Sequence, residues 1–493
     1  MPLSDTRTSS FSVALPDEHA TRRLAIDIAN ALEAGDVVTL SGDLGAGKTT
    51  LARTLIRYLA ADPDIEVPSP TFTLMQRYDL PQFPLMHVDL YRVSGPAELA
   101  ELGLEDVPEQ SVMLLEWPDR AGGLLPPDRL DVSLTLAPRV DRMAATRQFI
   151  AESGYSEAVR TRLRGDASTR SYERLARDDK CVLLMNSPRR PDGPPVRGDK
   201  PYSAIAHLAD SVIPFVAMAN GLRQYGLSAP SVYQADLEQG FLIIEDLGDE
   251  RVISGEPPAP IEERYEIAVD VLLALHERQL PDMLPVAPQL DYRIPPYDMD
   301  AFLIEAELLV DWFLPRLDAA IADSERDSFR ALWRELLQPA IDAPPTWVLR
   351  DFHSPNLLWL PQRSGLARLG LLDFQDAVMG PPAYDVASLL QDARVDVSEQ
   401  TELALLGRYV RGRSSGEADF DGAQFIKVYA TLAAQRASKI LGIFARLDMR
   451  DSKPHYLRHL PRVWRYLQRS LSHPALEALN AWYIAHVPSL NTI

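Results

Sequence analysis

Past residue 36 the chain alternates short apolar runs with stretches of helical period. "DVVTLS" reads as a buried strand, and "TTLARTLIRYLAA" as an amphipathic helix. "LMHVDLYR" and "SVMLLEW" read as two further strands, and residues 21–34 carry helical periodicity. This alternation predicts a parallel sheet flanked by helices. The pattern weakens near Pro138, after the strand-like "LDVSLTLA", and the helix-like "MAATRQFIAESGYSEAVRTRL" follows. A domain boundary is expected near residue 142. Next come short β-like pieces, "SYERLA", "KCVLLMN", "SVYQAD" and "GFLIIEDL", interrupted by the Pro/Arg/Gly-rich "SPRRPDGPPVRGDKP", which reads as an exposed loop. From about Ile261 the periodicity is mostly helical, with a β-like interruption around 346–374. A strand-rich lobe followed by a helical lobe is an α+β pattern.

At 493 residues the chain is too long for a single ordinary core, which fits the division suggested by the pattern. Hydrophobic residues make up 46% and charged residues 24%, as in soluble globular proteins. The net charge is -20, of which residues 1–150 carry -9 and the remainder -11. Neither part has the basic surface of a stand-alone nucleic-acid binder, so direct DNA binding is not expected. Cys181 is the only cysteine, which rules out an internal disulfide framework. The N-terminus lacks the apolar centre of a signal peptide, and no run approaches the roughly 18 apolar residues of a membrane span. A cytoplasmic protein without membrane association is the expectation.

Between the first strand and the next helix lies "SGDLGAGKTTLA", which matches G-x-x-x-x-G-K-[ST] from Gly42 to Thr49. Gly42, Gly45 and Gly47 permit a compact loop whose backbone N–H groups face phosphate oxygens, and the start of the helix at Thr49 and Thr50 adds its positive end. Lys48 would reach the β- and γ-phosphates, and the Thr49 hydroxyl would bind magnesium. Two acids end β-like runs, Asp89 in "MHVDLYR" and Glu116 in "SVMLLE". Either alone could be a surface acid or a helix cap. Their place at carboxyl ends of strands, where ligands bind in such sheets, points to metal and water instead.

"VPSPTFTLMQRY", "HVDLYR", "ELGLED" and "LLEWPDR" follow the phosphate loop in that order. Together they resemble TsaE, the small ATPase family of bacterial threonylcarbamoyladenosine synthesis on tRNA, over roughly residues 10–140. The resemblance implies an ATPase that works on TsaB- and TsaD-like partner proteins and meets tRNA only through them. It implies nucleotide and metal binding at Lys48 and Thr49, a switch-like segment at Thr71, and metal and hydrolytic roles for Asp89 and Glu116. Trp117 becomes a functional surface aromatic.

A second constellation lies three hundred residues later, in "VLRDFHSPNLLWL". Phosphoryl transfer needs an oriented hydroxyl, metal ions and charge neutralisation. Asp351 can take the proton of the attacking hydroxyl, and Asn356, five residues on, can offer its amide oxygen to magnesium. Asp373, seventeen residues further at the end of "RLGLLD", can hold the metal from the next strand. The trio follows the spacing of a kinase catalytic loop and its metal aspartate. The plain alternative is a polar turn beside an unrelated cap. "RGDASTRSYERL" occupies the place of a phosphate-covering turn, which makes Ser168 and Arg170 nucleotide-side candidates. "GFLIIEDLGD" fits a strand and hinge whose backbone at Glu245 to Leu247 would meet adenine, or else an edge strand and turn.

These features resemble the aminoglycoside phosphotransferase family over roughly residues 145–490. Within it, "LLMNSP", "GLLDFQDAVMGPPAYDVASLLQDARVDV" and "AQRASKILGIFARL" resemble AmgK, the anomeric kinases of cell-wall recycling. The resemblance implies ATP and Mg2+ as cofactors and N-acetylmuramate or N-acetylglucosamine as acceptor. One departure from the wider family stands out: Met185 occupies the third-strand position of the phosphate-binding lysine, and Lys180 lies too early. Arg170 is the candidate replacement. Arg436 and Lys439, three apart on a helix-like run, could reach the cleft or be solvated face charges. His353 reads as structural, and Trp312 and Trp347 as core before sugar platforms.

The expected architecture is an α/β P-loop NTPase domain (1–142) followed by an α+β protein-kinase-like domain (143–493), with a small lobe to about 250 and a helical lobe beyond. The expected function is dual: an ATPase for tRNA modification joined to an amino-sugar kinase. Two alternatives use the same motifs. In one the first domain regulates the kinase in cis; in the other the acceptor is an aminoglycoside, choline or homoserine.

Overall fold

The computed structural model describes residues 12–488 except 14, 16–17, 44, 69, 71–73, 94–107, 109, 122–124, 135–136, 164–169, 179 and 190–192, with backbone alone at 19 and 137–141. The chain forms two compact units, Met1–Ala145 and Thr146–Ile493.

In the first unit, helix α1 (Glu18–Ala31) precedes strand β1 (Val37–Ser41), which leads through the glycine loop into helix α2 (Lys48–Leu59). Strands β2 (Met75–Asp79), β3 (Pro84–Asp89), β4 (Val112–Glu116) and β5 (Leu130–Ser133) complete a sheet of order β2-β3-β4-β1-β5. All neighbours are parallel except β2, which runs antiparallel at the edge. Apolar side chains drive this arrangement. Ala25 and Ile28 of α1, Leu51 and Leu55 of α2, and Val38, Leu40, Leu85 and Leu114 of the strands share one buried cluster. Leu115, one residue on from Leu114, belongs to a separate cluster with Val88 and Leu90, as alternation across a strand requires. Asp89 and Glu116 are register partners, so the two acids emerge side by side at one end of the sheet.

The helix-like stretch expected to run from residue 143 to 163 is in fact two elements. Helix α3 (Ala137–Glu152) stops, and strand β6 (Val159–Leu163) begins after a short turn. Gly154 adopts φ +82°, and the N–H of Tyr155 returns to the Ile150 carbonyl at 2.9 Å, closing the helix end. The apolar spacing continued through the break, but the glycine decided the conformation.

Strand β6 is the edge of an antiparallel sheet with β7 (Ser171–Arg177), β8 (Lys180–Asn186), β9 (Val232–Asp236) and β10 (Phe241–Glu245), in the order β9-β10-β8-β7-β6. The Pro-rich stretch expected to be a loop carries a small antiparallel pairing of Pro195–Arg197 with Lys200–Pro201. Most of the remaining chain is helical. Within it, β11 (Thr346–Val348) pairs with β14 (Val378–Gly380), and β12 (Leu357–Trp359) with β13 (Leu369–Leu371). The segment bearing Asp351 and Asn356 therefore lies between β11 and β12, and Asp373 lies between β13 and β14. Helix α4 (Ala383–Leu390) and the long helix α5 (Gly422–Met449) pack against each other in one large core that also buries Trp347 and packs Trp312 at its margin. No helix among the described residues is long and apolar enough to cross a membrane.

Candidate nucleotide and phosphotransfer sites

The loop from β1 to α2 has left-handed glycines at Gly42 (φ +133°), Gly45 (+83°) and Gly47 (+99°). A Cβ on Gly42 would lie 2.2 Å from the Leu134 carbonyl oxygen, so the chain can turn there only with glycine. Helix α2 starts at Lys48, and its first-turn N–H groups are those that ordinarily receive an anion. Lys48 Nζ donates to the carbonyls of Gly42 (2.8 Å) and Asp43 (3.0 Å) and lies 3.8 Å above the Trp117 ring. Burial lowers the Lys48 ammonium, while Glu116, Asp89 and Asp43 pull it back up. Thr49 Oγ1 donates to Glu116 Oε2 at 3.2 Å, and His87 Nε2 lies 3.1 Å from Glu116 Oε1. His87 is fully buried and fixes the carboxylate from below, a partner the sequence alone did not single out. Asp89 is buried, and its Oδ1 accepts from the Tyr91 N–H at 2.9 Å. Trp117 is partly buried, packs its ring at a tilt 5.1 Å from that of Tyr91 and adopts φ +62°, a strained value for a tryptophan. Thr50 follows in the first helical turn, whereas Thr71 lies outside the described residues.

In the second unit, two more non-glycine residues with positive φ flank the chemistry: Arg350 (+65°) and Asp373 (+57°). Strain of this kind persists only where surrounding contacts impose it, and those contacts are visible. The N–H groups of Leu349 and Arg350 donate to Asp385 at 2.6 and 2.9 Å. Ser354 donates to Asp392 through both its N–H (2.9 Å) and its hydroxyl (2.5 Å). Beneath the loop, Arg350 pairs with the buried Glu305, which also accepts from Lys439 Nζ at 2.7 Å and Tyr297 at 2.5 Å. A buried carboxylate is tolerated when cations and donors surround it in this way. Burial would raise the Glu305 carboxyl, but Lys439 and Arg350 hold it below its ordinary value.

The Asp351 side chain is half-buried, keeps 41% of its surface and lines a cavity. Burial alone would raise this carboxyl; His353, 3.7 Å away, with Lys439 and Arg436, outweighs burial and holds it well below the usual range. Asn356 donates its amide N–H to the Asp351 carbonyl at 3.0 Å, which leaves the amide oxygen for a cation. Asp373 Oδ1 accepts from Arg170 Nη1 at 2.8 Å and from Gln375 at 3.0 Å. Asp351, Asn356 and Asp373 all line one cavity of about 1240 Å³, so the structure brings the sequence trio together. Arg436 and Lys439 line it too and are not solvated face charges. Among the described residues, no group of three or more His, Cys, Asp or Glu side chains forms a preformed metal cage. Asp373 and Asn356 instead offer two hard oxygen donors, the set that suits a magnesium ion sharing phosphate oxygens.

Met185 is 1% exposed and sits in register between Tyr172 and Leu242, so the third strand presents no cation there. Lys180 is exposed at the start of β8, opposite Arg177. Arg170, by contrast, reaches Asp373. Glu245 accepts from Ser231 and Arg363, and Leu247 packs with Leu358 and Leu360. Ser168 lies outside the described residues.

A family model described as threonylcarbamoyl adenosine biosynthesis protein TsaE matches residues 15–144, and one described as phosphotransferase enzyme family (APH) matches residues 159–426. The N-acetylmuramate/N-acetylglucosamine kinase of Caulobacter vibrioides is 38% identical over 361 residues, covering 71% of this chain and 97% of its own length. The TsaE protein of Rickettsia conorii is 40% identical over 120 residues, covering 24% of this chain and 68% of its own. The chain belongs to both families. A kinase of the same name from Pseudomonas aeruginosa is 30% identical over 330 residues, covering 66% of this chain and 88% of its own. The second unit is thus of the phosphotransferase family, and the first is of the TsaE family.

Proposed function

We propose that this protein is bifunctional, with the TsaE-like ATPase up to about residue 142 and the kinase in the remainder. The kinase transfers the γ-phosphoryl group of ATP to the anomeric hydroxyl of N-acetylmuramate and N-acetylglucosamine, making sugar 1-phosphates for cell-wall recycling. The ATPase supports threonylcarbamoyl modification of tRNA adenosine, acting on TsaB- and TsaD-like partners and meeting tRNA through them. Both reactions belong in the cytoplasm, where ATP and tRNA are found.

One observation carries the choice of acceptor. The cavity around Asp351 is lined by Arg251, Arg394, Arg436, Lys439, Arg458 and Arg462 against three carboxylates, in a chain of net charge -20. Such a cavity repels a cationic aminoglycoside or choline and suits neutral or acidic sugars. Offering kanamycin, choline, homoserine and both amino sugars with ATP should yield phosphate transfer to the two sugars alone. Transfer to choline or kanamycin, with neither sugar used, would overturn the assignment.

The roles follow from the geometry. Asp351, kept ionised, accepts the proton of the anomeric hydroxyl as it attacks the γ-phosphorus. Asn356 and Asp373 would hold Mg2+, which neutralises charge on the phosphates. Backbone groups of Glu245 to Leu247 receive adenine, while Ser168 and Arg170 attend the phosphates. In the TsaE-like unit, Gly42, Gly45, Gly47, Lys48 and Thr50 cradle the triphosphate. Thr49, Asp89 and Glu116 would hold Mg2+ there, and Glu116, braced by His87, orients the attacking water.

Arg170 supplies the positive charge that Met185 does not. Replacing Arg170 by alanine should lower kcat/KM for ATP in sugar phosphorylation by about 10- to 100-fold, the worth of a charge-assisted hydrogen bond. Lysine at 170 should recover part of it. An alanine variant with wild-type kinetics would remove Arg170 from the site.

A further inference from the structure

Helix α5 turns one face to the cavity: Arg436, Lys439, Ile440, Ile443 and Phe444 recur at the spacing that stacks side chains along a helix. Along that face the lining changes from charged to apolar. At one end, the Phe444 ring stacks 5.4 Å from Tyr456, which lies in the short 3-10 helix Pro454–His459. At the other end lies Asp351. Against the burial that would raise it, the Asp351 carboxyl is held low by His353 and then by the charges of Lys439 and Arg436. A sugar that offers its anomeric hydroxyl to Asp351 thus meets the two cations at its reacting end and the apolar residues along its body.

The two cations differ in what holds them. Lys439 Nζ donates to Glu305 at 2.7 Å and lies 3.4 Å from Tyr384 Oη, so it is committed beneath the catalytic loop. Arg436 is only 6% exposed, yet among the described residues its guanidinium makes no hydrogen bond and no ion pair. Its nitrogens are not sealed in the core; they open on the cavity. Besides Asp351, its charge is felt at Asp385, which burial raises to about 7 and whose oxygens accept from the N–H groups of Leu349 and Arg350. Neither carboxylate pairs with it directly. A guanidinium withdrawn this far from water is costly without a partner. Its planar fork of donors matches the oxygens of a phosphoryl group.

We infer that Arg436 is a catalytic residue of the kinase, whose guanidinium binds the non-bridging oxygens of the γ-phosphoryl group during transfer and remains on the sugar 1-phosphate. The inference rests on the sugar-kinase reading above and adds the cation that meets the transferring group from the helical lobe, opposite Arg170. In that step the anomeric oxygen bonds to the γ-phosphorus and the bond to the β–γ bridging oxygen breaks. ADP leaves with that electron pair, and the hydroxyl proton passes to Asp351. Negative charge is spread over the three equatorial oxygens as this happens, and a fixed cation there acts where it is worth most.

The test compares two affinities of the full chain, for N-acetylglucosamine 1-phosphate and for N-acetylglucosamine, by calorimetric titration. In Arg436→Gln the affinity for the 1-phosphate should fall about 10- to 100-fold, with that for the free sugar within about twofold. The rate of phosphorylation should fall by a similar factor with both amino sugars. Binding of the free sugar shows that the variant is folded; if it is lost, Arg436→Lys, which keeps the charge without the fork, decides by the same comparison and should show a smaller loss. Unchanged binding of the 1-phosphate refutes the inference even where the rate falls, because an effect exerted only through Asp351 would leave product binding intact. A loss confined to N-acetylmuramate also refutes it, since the guanidinium would then serve the carboxylate of that sugar. If the wild-type chain phosphorylates neither sugar, the kinase reading falls and this inference with it.

Discussion

Replacing Asp351 by alanine lowers the rate of sugar phosphorylation by about 10²- to 10⁴-fold, the range set by losing a positioned general base. Sugar affinity changes little, because the carboxylate's main contribution arises as the hydroxyl gives up its proton. Asparagine at 351 keeps the shape and removes the charge, so it should lose nearly as much. The two neighbouring clamps make this a clean measurement. Asp385 and Asp392 fix the loop through the backbone of Leu349, Arg350 and Ser354, and none of those bonds involves the Asp351 side chain. A rate within about tenfold of wild type in both variants would show that proton transfer does not depend on this group.

The second large effect lies in the TsaE-like unit. Lys48→Ala should cut its ATP hydrolysis, measured with its partner proteins present, by at least about 10²- to 10³-fold, as expected for removing a charged donor aimed at developing phosphate charge. Lys48 is now held by the carbonyls of Gly42 and Asp43 and by the Trp117 ring. Phosphate oxygens would replace those carbonyls, so the variant loses a ligand contact more than a structural one. Sugar phosphorylation by the same variant should continue, since its machinery lies among residues 168–462. Unchanged rescue of cells lacking their own TsaE would contradict the role given to this lysine.

Much of both sites was legible because each rests on a local rule. A glycine loop between a strand and a helix has few uses, and left-handed glycines stand at both positions the motif fixes, Gly42 and Gly47, with a third at Gly45 between them. Asp351, Asn356 and Asp373 were legible because loop and strand order bring them together whatever the surroundings. What stayed hidden depends on distance. Glu305 lies in a helix of apolar pattern, and only the fold reveals that it balances Arg350 and Lys439. Asp385 and Asp392 stand in a stretch whose family likeness was visible, yet their bonds to loop N–H groups span more than thirty residues. His87 looked like one more strand residue until its contact with Glu116 appeared. The cationic lining was the least visible feature, since residues from 251 to 462 converge there in an acidic chain. The split of the helix-like stretch at Gly154 shows the opposite case, a local signal outvoted by apolar spacing in the reading and decisive in the fold.

The central claim is that one polypeptide holds two independent ATP sites. Calorimetric titration of the full chain with a non-hydrolysable ATP analogue and Mg2+ tests it directly. The account predicts two equivalents bound at saturation, falling to one in Lys48→Ala. A single equivalent in the wild-type chain, unaltered by that substitution, would contradict it.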